Sequence, residues 1–324
     1  MDQIVRMTGI GGVDCLEVLQ QEPAVPGPGE IRVRHDAVGV NFIDIYHRTG
    51  LYPLPSLPTV IGVEGAGVVE AIGPDVTTLS PGDRIAYAGA PVGAYASTRL
   101  LPVARAIRLP DDISTKAAAA SMLRGITAHM LLTRTYPVKP GTTILVHAAA
   151  GGLGSLLTRW AKHLGATVIG TVSSETKAAK AKAHGADHII VGRNADLLRE
   201  VAELTNGRGV DVAYDGIGGD MLMKTIACVG LFGTVASIGQ AAGPIPLMNI
   251  ETLGPRQSLS LARPSVMAYA ADTTSYVAAA ASLFKVMRMG VTATIGAEYP
   301  LTDAARAHGD LESGRSDGSL LLIP

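Results

Sequence analysis

Hydrophobic and polar residues follow two different patterns along the chain. In the first third, short apolar runs alternate with turn residues, which predicts strands at Glu30–Val40, 60–72 and Arg84–Ala88. From residue 141 onward, β-branched runs alternate with segments of helical periodicity, each about 10 to 12 residues long. That alternation predicts right-handed βαβ units around a parallel sheet.

The second pattern begins with a strand at 142–147, a glycine-rich turn and a helix at 153–164. His147, at the end of that strand, is predicted to be a core histidine whose hydrogen bonds are satisfied. Further strands are predicted at Thr167–Val172, His188–Val191, 210–214 and 233–238, and further helices at 175–184, 194–204 and 219–229.

The alternation weakens after residue 263, where a helix at 275–289 and a strand at Ser319–Ile323 are predicted. These elements cannot bury a core by themselves, so the tail is expected to return to the first domain. Another helix is predicted to begin near Ser114. We therefore predict two domains, residues 1–124 with 264–324 and residues 125–263.

The glycine-rich turn is the main candidate for a ligand-binding loop. It runs from Ala149 to Gly154, follows a predicted strand and opens a predicted helix. A pyrophosphate needs close backbone approach and the free N–H groups of a helix amino terminus, and this context provides both. The alternative is a tight βα turn that binds nothing. The predicted contacts are Ala150, Gly151, Gly152, Leu153 and Gly154.

The end of the second strand of the parallel sheet indicates which dinucleotide binds. NAD enzymes place an acidic residue there to hold the ribose 2′-hydroxyl, and this chain has Ser173 and Ser174 instead, followed by Lys177. Hydroxyls and an ammonium suit a 2′-phosphate, which favours NADPH. Glu175 is expected to be the first-turn acid of the next helix. The alternative for the serines is helix capping.

Composition narrows the possible partners and location. Net charge is −1 with no basic stripe, which argues against nucleic acid or an anionic membrane surface. Cys15 and Cys228 cannot form a disulfide framework, and no zinc spacing of Cys and His is present. The chain opens without a signal-peptide pattern and has no apolar run of roughly 18 to 20 residues. We expect a cytoplasmic protein.

Several segments together carry a resemblance to a known family. The chain resembles the quinone oxidoreductase (zeta-crystallin-like) branch of the medium-chain dehydrogenase/reductase superfamily, essentially from end to end. The resemblance implies an α/β protein with a doubly wound Rossmann domain and a β-rich, GroES-like catalytic domain. The matching segments are 39–46 (GVNFIDIY), 50–53 (GLYP), 62–67 (GVEGAG), 81–84 (PGDR), 147–152 (HAAAGG), 263–264 (RP) and 319–324 (SLLLIP).

Zinc-dependent members of the superfamily carry a metal-binding Cys where this chain has Asn41. They carry a His where this chain has Val63, and their four-cysteine lobe has no counterpart here. Neither Asn41 nor Val63 is a good zinc ligand. The resemblance is therefore to the zinc-free members, and no metal site is expected.

The resemblance also implies roles for individual residues. Asn41, Asp44 and Tyr46 would lie near the nicotinamide and its ribose, and Tyr46 and Tyr52 would face the acceptor with a flat ring and a phenol donor. Asn41 and Asp44 have structural alternatives, and both tyrosines have plain packing as theirs. Further cofactor contacts are implied or suggested at Thr127, Arg193, Ile238, Gln240 and Arg263. Thr127 is expected to open a helix, and its alternative is a capping role without contact to the cofactor.

The resulting prediction is an NADPH:quinone oxidoreductase that transfers hydride without zinc. A rival is an NADPH-dependent reductase of enone or enal double bonds. A rival of another class is a crystallin-like or AU-rich RNA-binding protein that keeps the nucleotide site, although the near-neutral charge offers little support for RNA binding. The resemblance further implies a homodimer formed through the edge strand around 258–261.

Overall fold

The computed structural model describes residues 1–255 and 257–324, and the chain divides into two compact units. The first unit comprises Met1–Ile126 together with Val266–Pro324, and the second comprises Thr127–Ser265. The boundary at residue 126 falls inside one helix, so the chain passes from the first unit to the second without a linker.

The amino-terminal part of the first unit is mostly strands. Its elements are β1 (Asp2–Met7), β2 (Leu16–Gln21), β3 (Glu30–Val40), α1 (Phe42–Arg48), β4 (Thr59–Val60), β5 (Glu64–Ile72), β6 (Arg84–Ala88), β7 (Thr98–Pro102), β8 (Ile107–Arg108) and α2 (Thr115–Met130).

Strands and helices alternate in the second unit, and the chain then returns to the first. The elements of the second unit are β9 (Thr143–Val146), α3 (Gly152–His163), β10 (Thr167–Val172), α4 (Glu175–Ala183), β11 (His188–Val191), α5 (Leu197–Leu204), β12 (Val210–Asp215), α6 (Met221–Ala227), β13 (Val229–Ser237) and β14 (Ser260–Ala262). The returning elements are α7 (Val266–Ala271), α8 (Thr273–Met287), β15 (Ile295–Pro300), α9 (Ala304–Glu312) and β16 (Ser319–Ile323).

The first unit is built on a seven-stranded sheet in the order β15-β16-β3-β5-β6-β8, with β7 paired to β3, and a small sheet β2-β1-β4. The strand predicted at 60–72 is interrupted because Gly62 adopts a φ of +97°. A β-carbon at Gly62 would lie 2.3 Å from Cδ1 of the buried Tyr95, so the bend and the packing require glycine together.

The second unit is a parallel sheet in the order β11-β10-β9-β12-β13-β14. This confirms the predicted Rossmann-type fold, in which strand order reverses between β9 and β12. Leu145, Ile169 and Val235 belong to a core cluster in this unit and are fully buried. In such sheets ligands gather at the carboxyl ends of the strands near the reversal, which directs attention to the loops after β9, β10 and β12.

Predicted and observed bounds agree closely where a strand has strong periodicity, as in Thr167–Val172 and His188–Val191. The helix predicted from 194 begins later, because the Asp196 side chain accepts a hydrogen bond from the amide of Arg199 (3.2 Å) and caps α5. Across the described part of the chain, no helix has both the length and the hydrophobicity needed to traverse a bilayer.

Candidate functional site

The loop between β9 and α3 packs so closely on α3 that it leaves no room for a side chain at Gly154. Ala148 adopts a φ of +51°, and its carbonyl accepts a hydrogen bond from the amide of Gly151 (2.8 Å). A β-carbon at Gly154 would lie 2.2 Å from the same carbonyl oxygen. The loop therefore turns tightly over Ala148, and α3 at Gly154 lies too close to the Ala148 carbonyl for any side chain.

The amino end of α3 has the features that an anion site needs. Gly151 is the residue before the helix and provides no capping side chain, so the first-turn N–H groups are not capped. Ala150 is buried, whereas Gly152 and Leu153 are half-buried. Unpaired N–H groups and the positive end of the helix dipole fit a pyrophosphate.

The next strand end is lined by hydroxyls and cations. Ser173 and Ser174 follow β10 and are exposed, and the Ser174 hydroxyl accepts a hydrogen bond from the amide of Lys177 (3.4 Å), so Ser174 caps α4 as the alternative interpretation proposed. Glu175 is the first residue of α4, as predicted. Arg193 is exposed just after β11, the neighbouring strand, and therefore lies at the same edge of the sheet.

Residues beyond β13 form a third segment at this edge. The amide of Ile238 donates to the carbonyl of Asp215 (2.7 Å), and Gln240 lies two residues later in a half-buried position. The Arg263 guanidinium donates to the hydroxyl of Ser237 (2.8 Å), which fixes the end of β13. Arg263 thus has at least a structural role.

The expectation that Thr127 opens a helix is wrong. Thr127 lies well inside α2, which begins at Thr115 and continues to Met130. The Ala run at 117–120 continues the helix without a break, because Ala has the highest helix propensity. Capping by Thr127 is excluded for the same reason.

In the first unit, Asn41 and Asp44 fix the start of α1. The backbone amide of Asn41 donates to Oδ2 of Asp44 (2.8 Å), which is one half of a capping box. The Asn41 side-chain amide donates to Oε2 of Glu64 (2.8 Å), and all three residues are buried. The Asn41 side chain is therefore held by a carboxylate.

Glu64 is fully buried, and its carboxylate accepts hydrogen bonds from two segments of the chain. Its Oε1 accepts from the amide of Leu123 (2.7 Å), and its Oε2 lies 3.5 Å from the guanidinium of Arg124. Burial raises the pKa of Glu64, and Arg124 and the hydrogen bonds offset part of that rise. Sequence reasoning assigned no role to Glu64 or Arg124, although residue 64 lies in a motif shared with the family.

Asp44 lies at one end of a series of hydrogen-bonded polar side chains in the first unit. Its Oδ2 also accepts from the hydroxyl of Tyr95 (3.1 Å), whose oxygen lies 2.9 Å from Nε2 of His308. Arg48 Nε donates to Nδ1 of His308 (3.3 Å), so the neutral ring carries its proton on Nε2. Burial raises the pKa of Asp44 to about 7 and lowers that of His308 to about 3, the latter helped by the Arg48 charge.

Three aromatic rings cluster on and beside α1. The rings of Tyr46 and Tyr52 meet edge to face with centroids 5.2 Å apart, and Phe42 lies 6.1 Å from Tyr46. The carbonyl of Tyr52 accepts a hydrogen bond from Nδ1 of His47 (2.8 Å), which ties the segment after α1 back to the helix. Tyr52 is 36% exposed, so the pair offers a partly accessible aromatic surface.

No group of three or more His, Cys, Asp and Glu residues that could bind a metal occurs within residues 1–255 and 257–324. Val63, which stands where zinc-dependent relatives carry a ligand, is fully buried. Its neighbour Glu64 is already held by Asn41, Leu123 and Arg124.

Comparison with known proteins agrees with this geometry. The profile of the alcohol dehydrogenase GroES-like domain matches residues 27–111, and that of the zinc-binding dehydrogenases matches residues 152–297. The chain is 43% identical over 325 residues to a quinone oxidoreductase of Pseudomonas aeruginosa, with 100% of both chains covered. The chain belongs to the quinone oxidoreductase family of the medium-chain dehydrogenase/reductase superfamily.

Two further relatives indicate the range of this family. The structure of Escherichia coli quinone oxidoreductase complexed with NADPH matches with a TM-score of 0.96 and 40% identity over 100% of both chains. A 2-haloacrylate reductase from a Burkholderia species is 41% identical, covering 97% of this chain and 96% of its own. The recognition of the family from sequence is thereby confirmed.

The structure brings the predicted residues together as two groups, one in each unit. In the second unit, the loop of residues 148–154, Ser173, Lys177, Arg193, Ile238 and Gln240 follow strands that end at one edge of the sheet. In the first unit, Asn41, Asp44, Tyr46 and Tyr52 lie on or beside α1.

Proposed function

We propose that this protein is an NADPH-dependent quinone reductase that transfers hydride without a metal. The observation that carries the proposal is the α3 amino terminus, which is uncapped and follows a loop that admits no side chain at Gly154. The relative from Pseudomonas aeruginosa, similar over its whole length, is a quinone oxidoreductase. The related Escherichia coli enzyme was solved with NADPH.

The residues that would hold NADPH lie in the second unit. We propose that the amides of residues 150–154 bind the pyrophosphate and that Ser173, Ser174, Lys177 and Arg193 bind the 2′-phosphate. Ile238 and Gln240 would face the nicotinamide end, with Thr127 and Arg263 as further contacts. When bound, NADPH supplies the hydride. Residues 125–263 would thus be the cofactor domain, and residues 1–124 with 264–324 the acceptor domain.

The first unit would bind and orient the acceptor. The edge-to-face pair of Tyr46 and Tyr52 offers an aromatic surface for a planar quinone and phenol groups that donate hydrogen bonds. A quinone needs little polarisation, because its ring is electron-poor and its reduction product is aromatic. Asn41, held by Glu64, would orient the acceptor or a ribose hydroxyl with the low mobility that efficient positioning requires.

Turnover with a panel of acceptors tests this proposal. Purified protein should oxidise NADPH when a benzoquinone or naphthoquinone is added, and NADH should be a poorer donor. Absence of NADPH oxidation with every quinone would contradict it.

A second candidate is reduction of an activated carbon–carbon double bond. It is supported by the similarity to a 2-haloacrylate reductase and by the two tyrosines, whose phenols can provide a proton. NADPH oxidation with enones or 2-haloacrylates but not with quinones would favour this function over the first.

The cofactor assignment makes a prediction for Lys177. Lys177→Ala should raise the Kd for NADPH about tenfold. This is the lower end of the range expected for the loss of a hydrogen bond between charged groups, because Lys177 is only half-buried. The Kd for NADH should not change, since NADH has no 2′-phosphate. Fluorescence titration with each nucleotide measures both constants, and Lys180→Ala on the same helix is the control. Equal weakening of both nucleotides would refute the assignment.

We also propose a cytoplasmic homodimer that joins through β14. This three-residue strand ends the parallel sheet, and apolar side chains nearby are highly exposed, among them Leu231 (68%), Phe232 (77%) and Ile250 (74%). Exposed apolar groups at a sheet edge favour strand pairing with a second copy. The unpaired thiols of Cys15 and Cys228 are consistent with a reducing compartment.

The dimer predicts an effect of Phe232→Glu. A charge there should convert the dimer to monomer, because a desolvated carboxylate is costly in an apolar interface. Sedimentation equilibrium measures the change, and Val25→Glu, at an equally exposed site in the first unit (83%), should leave the mass unchanged. A wild-type protein that sediments as a monomer would overturn the dimer.

A further inference from the structure

A buried row of polar side chains lies beneath the carboxyl edge of the parallel sheet. Nδ1 of His147 is 2.9 Å from the hydroxyl of Thr171, and its Nε2 is 2.8 Å from the hydroxyl of Thr225. That hydroxyl is 3.0 Å from Oδ2 of Asp215. His147, Thr225 and Asp215 are buried, which confirms the prediction that His147 is a satisfied core histidine.

The direction of each hydrogen bond follows from the acceptor at the end of the row. Asp215 already accepts at Oδ1 from the amides of Ile217 (2.7 Å) and Gly218 (3.0 Å), as a carboxylate does. The single hydrogen of the Thr225 hydroxyl is shared between Oδ2 of Asp215 and the carbonyl of Met221 (2.9 Å). Both are acceptors, so the Thr225 oxygen accepts from His147.

The direction of the hydrogen bond between His147 and Thr171 depends on the charge of His147. Burial lowers the pKa of this imidazole, and the Asp215 carboxylate opposes that shift. The neutral ring donates from Nε2 to Thr225, so its Nδ1 accepts from the Thr171 hydroxyl. In this arrangement His147 has one tautomer, with its proton on Nε2.

Each end of the row lies next to a segment that would contact the cofactor. His147 directly precedes the tight turn over Ala148, and the Thr171 carbonyl accepts from the amide of Ala149 (3.1 Å). Asp215 holds the turn at Gly218, where a β-carbon would lie 2.6 Å from Cα of Gln240. The row therefore connects the loop of residues 148–154, the end of β10 and the backbone beside Gln240.

Apolar residues could fill the same volume without desolvating a carboxylate, so filling the core does not explain the polar row. We propose that His147, Thr171, Thr225 and Asp215 set the relative positions of the three cofactor-binding segments, with His147 and Thr225 as positioning residues. This inference rests on the proposed use of NADPH.

Two buried threonines provide a matched test. Thr225→Val removes the central hydroxyl of the row with little change of shape. Thr205→Val removes a hydroxyl that also makes two hydrogen bonds, to the carbonyl of Val201 (2.7 Å) and from the amide of Gly209 (3.0 Å), but lies beyond α5 at the opposite edge of the sheet. Both variants, as full-length protein, are titrated with NADPH and NADH by fluorescence, and their unfolding is followed in urea.

We expect Thr225→Val to raise the Kd for NADPH and for NADH by the same factor, about fivefold, as expected for a lost hydrogen bond that acts through backbone position. Thr205→Val should lower the urea midpoint yet leave both constants unchanged. Thr225→Ser keeps the hydroxyl and should bind both nucleotides like the wild type. If the valine variant does not fold, the serine variant is compared with the wild type instead.

Three results would overturn the inference. These are unchanged constants in Thr225→Val, equal weakening in Thr205→Val, and a Thr225→Ser variant that binds no better than the valine variant. Failure of the wild type to bind NADPH would overturn both this inference and the proposed cofactor. If the wild type binds NADPH and the variants behave as expected but no quinone is reduced, the positioning role stands and the proposed acceptor falls.

Discussion

Gly154→Ala should raise the Kd for NADPH about 100-fold, the loss expected when about two hydrogen bonds to a charged pyrophosphate are broken. The new β-carbon would lie 2.2 Å from the carbonyl oxygen of Ala148, and that oxygen also accepts the hydrogen bond from Gly151. Neither group is the flexible end of a side chain, so the loop and the α3 amino terminus must move apart. NADH should be weakened equally, since both nucleotides share the pyrophosphate.

A glycine elsewhere in a helix serves as the control. Gly309 lies in α9, and a β-carbon there would contact nothing within 4 Å, so Gly309→Ala should leave both dissociation constants unchanged. Circular dichroism of both variants establishes that the fold is retained. Nucleotide binding by Gly154→Ala that matches Gly309→Ala would show that the loop over Ala148 is not the phosphate site.

The parallel sheet could be predicted because its strands are continuous β-branched runs between helical segments. Val168 and Ile169 on β10 are fully buried, so their hydrophobicity reports directly on the sheet. β2 could not be predicted in this way, since none of its residues is buried and, among the described strands, it pairs only with β1. Its register is fixed by the partner strand and not by its own pattern.

The tight turn of residues 148–154 between β9 and α3 could be predicted because strand, glycine turn and helix are adjacent in sequence. The contacts that join Asn41 to Glu64, and Asp44 through Tyr95 to His308, could not be predicted, because they link distant segments. Asn41 and Glu64 are 23 residues apart, and Tyr95 and His308 are 213 apart. A buried polar side chain must find a partner, but sequence does not tell which residue the fold brings to it. The same limit left Thr225 and Asp215 unnoticed.

Glu64→Ala should destabilise the protein by about 3 to 5 kcal/mol, the loss typical when one partner of a buried ion pair is removed. Arg124 would keep its charge while its side chain is only 8% exposed, with the carbonyl of Val40 (2.8 Å) as its main remaining acceptor. Asn41 and the amide of Leu123 would lose their acceptor as well. Denaturation in urea followed by circular dichroism measures the change.

An exposed ion pair gives the matched comparison for Glu64. Lys116 and Glu298 are closer together, at 2.7 Å against 3.5 Å for Arg124 and Glu64, but their side chains are 46% and 40% exposed. Because water already solvates both charges, Glu298→Ala should cost less than about 1 kcal/mol despite the shorter distance. A loss in Glu298→Ala that equals or exceeds the loss in Glu64→Ala would mean that burial does not determine the cost. In that case Glu64 would no longer explain how Asn41 is held in place.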